Sequence, residues 1–72
     1  MSWRDRIKVG DLVCFSEKKR QTTDTTSEYA KNHLRHIFEI GLVVETHGLD
    51  PVISFPSNNR KHCAVRNLEV IS

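Results

Sequence analysis

Residues 37–55 read IFEIGLVVETHGLDPVISF, and the way this stretch alternates decides the fold. Its first ten residues are dense in β-branched side chains, which lose rotamer freedom on a helix and pack well on a pleated surface. A strand over about 37–46 is therefore expected, with Gly41 inside it marking a bulge or a sharp bend. Successive side chains of a strand point to opposite faces, so Leu42 and Val44 share one side while Val43 and Glu45 share the other. Glu45 belongs in water, which assigns Leu42 and Val44 to the core. His47-Gly48-Leu49-Asp50-Pro51 carries the residues of a turn, and Val52–Phe55 returns as a strand with Ile53 and Phe55 inward.

Upstream, Gly10-Asp11 introduces Leu12-Val13-Cys14-Phe15, a strand over about 11–16 with Val13 and Phe15 on one face. Downstream, Pro56-Ser57-Asn58-Asn59 interrupts the pattern, because proline donates nothing to a ladder and asparagine tolerates positive φ. A strand at about 62–65, a single tight helical turn at Val65-Arg66-Asn67-Leu68 and a last strand at Glu69-Val70-Ile71 complete the chain. Five short strands with tight connections after the first describe an all-β, five-stranded SH3-like barrel, since closing a small sheet removes its exposed edges. An OB-type barrel normally needs more residues. The expected core is Val9, Val13, Phe15, Leu42, Val44, Ile53, Phe55, Val65, Leu68 and Val70, with Ile40 and Cys63 as additional candidates.

The long first connection, EKKRQTTDTTSEYAKNHLRH at 17–36, has no strand pattern. Thr25-Thr26-Ser27-Glu28 fits a capping box with Thr25 as N-cap, and Tyr29, His33 and Ile37 recur at helical spacing beside Ala30 and Leu34. A helix over about 26–35 is expected, following a mobile tip at KKRQTTDTT. Disorder of the whole segment is the alternative, because ten residues make a marginal helix without packing.

Seventy-two residues suit a single domain spanning 1–72, with 38% hydrophobic and 28% charged side chains. No apolar run approaches the ~18 residues of a membrane span, and MSWRDRIK lacks the apolar core of a signal peptide, which favours a cytosolic or particle-internal setting. In such a setting Cys14 and Cys63 are expected as buried free thiols. The net charge of +2 resides in the 17–36 segment, where five cations face three anions. That excess is far below the basic face of a dedicated DNA binder.

KVGDLVCF, IGLVVET, PVISF and AVRNLEVIS together resemble small SH3-like proteins of tailed, T4-like bacteriophages. The shared pattern runs KxGDLV, GIVxE, VxW/F and xxxxLEVI and covers about 35 of the 72 residues. The chain departs from it in its long charged first loop and in Phe55, where tryptophan is common. The resemblance implies a phage-encoded barrel acting in the host cytoplasm or the virion. It carries no binding residue over to this chain.

Catalytic constellations are sparse. Cys14 and Cys63 lie 49 positions apart, and His33-x-x-His36 is the only close histidine pair, so the paired spacing of a zinc site is missing. His62 and Cys63 are neighbours on a strand and point to opposite faces, which separates a thiol from its base. With three glycines there is no phosphate-cradling loop. The expectation is a non-enzymatic module without cofactor or metal. As a protein-interaction module, a host-directed factor or a minor virion component, it would use Trp3, Arg20, Tyr29, His33 and Arg35. Trp3 would otherwise plug one end of the barrel. The competing class is a weak KOW-like nucleic-acid binder using the loop-tip cations Lys18, Lys19, Arg20, Arg60 and Lys61.

Overall fold

The computed structural model describes residues 3–23 and 26–72. Among them, β1 (Leu12–Phe15), β2 (Gly41–Glu45), β3 (Val52–Phe55), β4 (Asn58–His62) and β5 (Leu68–Val70) form one antiparallel sheet in the order β4-β3-β2-β1-β5. The first four strands are a meander, and β5 returns along the free side of β1. All three residues of β5 are registered against Val13, Cys14 and Phe15, which leaves no length to bridge to β4. The sheet is therefore open, where the sequence predicted a closed barrel.

The core gathers Ile7, Val13, Phe15, Ile37, Val43, Ile53, Phe55 and Cys63, with Trp3, Leu34, Val65 and Leu68 packed against it. Val13, Phe15, Ile53 and Phe55 fall where the alternation puts them, and Cys63, an additional candidate, is buried just past β4. In β2 the assignment is inverted: Val43 is fully buried and pairs with Ile53, while Leu42 is 42% exposed on the other face opposite Leu12. The cause is a bulge between Val43 and Glu45, which uncouples the two, so Glu45 reaches water without taking Val43 with it. Val44 is only half-buried, and Val9, Ile40 and Val70 are exposed, with Ile7 filling the place expected of Val9.

Gly41 does not form the bulge. A Cβ there would overlap Ile53 Cγ2 and stand 2.7 Å from the Phe55 ring, so the glycine lets two core side chains lie against the β2 backbone. A second irregularity lies between β3 and β4, where Arg60 takes φ +57° in place of the asparagines expected to do so. The turn is correspondingly shorter, so β4 runs Asn58–His62 where the sequence predicted a strand at about 62–65, and Cys63-Ala64 lie beyond it outside the sheet.

The described residues of the 17–36 segment form two short helices where the sequence predicted one. Ser16 is extended and its Oγ accepts from the Lys19 N–H at 3.3 Å, starting α1 (Glu17–Thr22) inside the stretch expected to be mobile. Ser27 caps α2 (Glu28–His33) by accepting from the Ala30 N–H at 3.0 Å. The predicted cap Thr25 and its neighbour Asp24 lie outside the described residues. The expected 26–35 helix stops short because Leu34 leaves helical geometry at φ −116°, ψ 13°, after which Arg35–Phe38 continues as a 3-10 turn. Ile37 and Phe38 thus sit in this turn and not in β2. A further 3-10 turn at Val65–Asn67 leads into β5, as the sequence predicts.

Candidate functional site

The break at Leu34 carries His36 and Ile37 into the molecule. His36 is 2% exposed, with its ring centroid 5.7 Å from that of Phe15 and 5.3 Å from that of Phe55. Its Nδ1 is buried with no hydrogen-bond partner among the described residues. Leaving such an atom unpaired costs about 1–3 kcal/mol. Burial holds the imidazole pKa below its ordinary value, the charge of Lys61 lowers it further, Glu39 opposes these and Lys19 adds to them.

Two grooves share His36 as a wall. One, of about 240 Å³, runs between α1 and the chain following β4, and is lined by Lys19, Lys61, His62, Ala64 and Asn67 beside the core edge. The other, of about 190 Å³, lies between α2 and the β3–β4 turn, and is lined by Tyr29, His33, Arg35, Ser57, Asn58 and Lys61 among others. Leu34, His36 and Lys61 belong to both. Among the described residues no carboxylate lines either groove. Glu39, which acts on His36 electrostatically, accepts from the Ser57 N–H at 3.1 Å and from its hydroxyl at 2.6 Å.

The structure separates the residues singled out in the sequence. Of the protein-interaction set, Tyr29, His33 and Arg35 line one groove, with the Tyr29 and His33 ring centroids 4.7 Å apart. Trp3 is elsewhere: its indole N–H donates to the Leu49 carbonyl at 3.1 Å, on the β2–β3 connection, at the opposite end of β3 from Ser57. The Arg4 guanidinium covers the Trp3 ring at 4.9 Å, donates to Thr46 O at 2.9 Å and reaches Gly48 O as well. Arg20 is exposed on α1 and lines neither groove.

Of the basic set, Lys19 and Lys61 converge across 42 positions of sequence, whereas Lys18 remains on the outer surface of α1. Arg60 is turned away and pairs with Glu45 at 2.6 Å, an ion pair that lowers the Glu45 pKa and raises that of Arg60. The sequence reading missed His36, Asn67, Ser57 and Asn58. No periodicity could have marked His36, because its burial is created by the helix break at Leu34.

His62 is exposed while Cys63 is buried, and burial pushes the Cys63 thiol up to about 11. At neutral pH that sulfur is a thiol and not a nucleophilic thiolate. Cys14 is half-buried and both cysteines are free. Among the described residues no three histidine, cysteine or acidic side chains are grouped as metal ligands would be, and no helix is long and apolar enough to cross a membrane. Comparison with protein families, curated proteins and solved structures finds no match to this chain.

Proposed function

We propose that the chain is a non-enzymatic binding module of SH3-like design that holds a nucleic acid in the double groove around His36. The observation that carries this is the convergence of Lys19 and Lys61 on a buried imidazole, with no carboxylate lining the grooves among the described residues. Like charges gathered at one site oppose each other, and an anionic group between them relieves that repulsion. Arg35 at the rim and the side chains of Asn58 and Asn67 add the kind of donors that fix phosphate and sugar oxygens, while Ser57 is already held by Glu39.

The SH3-like assignment rests on five short strands, a single 3-10 turn before the last, and the return of β5 to β1. The phage origin implied by the sequence resemblance would put nucleic acid within reach in either the host cytoplasm or the virion. A protein-docking surface built on Trp3 and Arg20 together with Tyr29 is less favoured, because Trp3 is committed to Leu49 at the far end of the sheet.

The test is an amide NMR titration with short DNA and RNA at low salt. Shifts at Lys19, His36, Ser57, Lys61 and Asn67 that fade as salt rises support the proposal. Shifts confined to Trp3 and the β2–β3 connection, or none at all, overturn it.

A further inference from the structure

Within the nucleic-acid reading just given, on which it rests, we infer that the ligand is single-stranded and that the Tyr29–His33 pair is the platform on which one base stacks. Tyr29 is 65% exposed on the first turn of α2, whereas Ala30 beside it is buried. Its ring does not lie on the core. It lies on His33, one helical turn later, with centroids 4.7 Å apart and planes inclined by 33°. Residues at i and i+4 share one helix face, and at this distance the rings lie against each other, which braces Tyr29 and leaves its outer face to solvent.

That surface opens directly onto cations. Tyr29, His33, Arg35 and Lys61 line the same groove, whose residues are polar apart from Leu34 and the aromatic rings. Lys61 and His36 then continue the path into the second groove, which ends at Lys19. Each groove is smaller than the roughly 300 Å³ at which pockets for small organic ligands begin. Two short, open grooves that share His36 and Lys61 suit successive units of a chain better than one compact molecule. An acidic peptide would satisfy the cations, but its backbone offers no flat face to the Tyr29 ring.

The strandedness follows from the stacking. In a duplex the base faces are covered by their neighbours, and only base edges and the sugar–phosphate backbone are open to a protein surface. A single strand exposes its base faces, and stacking on an aromatic ring tolerates any sequence because every base has one. The combination of rings and phosphate-binding cations along one path therefore selects single strands, with little preference among bases.

The experiment measures binding of a fluorescent oligouridylate, an oligothymidylate, a duplex of equal length, inorganic polyphosphate and polyglutamate, at low salt, to the wild type, Tyr29→Ala and Tyr29→Phe. Tyr29 is exposed, so both variants are expected to keep the wild-type amide spectrum. The single strands should bind more tightly than the duplex, and Tyr29→Ala should weaken them roughly 5- to 100-fold. Tyr29→Phe should keep most of the affinity, and polyphosphate should not distinguish the three proteins. If oligonucleotides and polyphosphate bind but Tyr29→Ala changes nothing, the stacking inference fails while the groove reading stands. Polyglutamate binding as tightly as the single strands, with the same dependence on Tyr29, would overturn base stacking in favour of a protein ligand. If no polyanion binds, both readings fail together.

Discussion

A Cβ at Gly41 has nowhere to go, since Ile53 and Phe55 are both fully buried and cannot retreat from it. Overpacking of this kind costs typically 1–3 kcal/mol. Gly41→Ala should therefore lower the unfolding free energy by that amount, read as a lower urea midpoint with the slope unchanged. His36 makes the second residue-scale prediction. Unfolded, its imidazole takes a proton near 6.5; folded, burial and Lys61 hold the pKa lower. Between those two values the unfolded chain binds more protons, so this contribution to stability is intact above about pH 6.5 and is lost as pH falls through and below it. A series of melts from neutral to mildly acidic pH should show Tm falling in the wild type. His36→Phe, which keeps an aromatic ring beside the stacked Phe15 and Phe55 and removes the unpaired Nδ1, should flatten that fall. Parallel pH profiles for the two proteins would show that His36 is not its source.

The elements that build the site are short, and their caps matter in proportion. With six residues, α2 is below the length at which a helix holds itself in water, so the Ser27 cap and the burial of Ala30 sustain it. Ser27→Ala should cost about 1 kcal/mol of local stability. It should speed amide exchange in Glu28–His33 while leaving the β1–β2 ladder protected, and lower affinity for single strands by loosening the Tyr29–His33 surface. Equal loss of protection throughout the sheet would instead mean that α2 and the sheet unfold as one unit. How far these elements are legible in the sequence follows from the same physics. β1 and β3 could be read because unbroken alternation puts Val13 with Phe15 and Ile53 with Phe55 on one face. β2 could not, because the bulge after Val43 resets the parity on which the assignment of Leu42 and Val44 depended. The site was half legible. Tyr29, His33 and Arg35 are close in sequence and share a helix and its following turn, but the meeting of Lys19 with Lys61 depends on the β3–β4 hairpin folding back toward α1. The turning away of Arg60 depends on a single positive φ.

Over the whole molecule the charge is nearly balanced, at +2, and long-range attraction of a polyanion is correspondingly small. Several cations are also engaged locally: Arg4 with the carbonyls of Thr46 and Gly48, and Arg60 with Glu45. Binding must then be governed by the few cations that face the grooves, namely Lys19, Arg35 and Lys61. Each phosphate neutralised on a single strand contributes about −0.7 to the slope of log affinity against log salt, so three contacts give a slope of about −2. Lys19→Ala and Lys61→Ala should each reduce its magnitude by about 0.7. Arg60→Ala should leave it unchanged despite removing an equal formal charge from the next residue along β4. This contrast separates a built site from a diffuse effect of net charge. If all three substitutions flatten the salt dependence alike, the molecule attracts polyanions through its overall charge and the groove has no special part in it. If only the groove lysines do so, the geometry around His36 sets the affinity, and Arg60 is confined to holding β4 against β2 through Glu45.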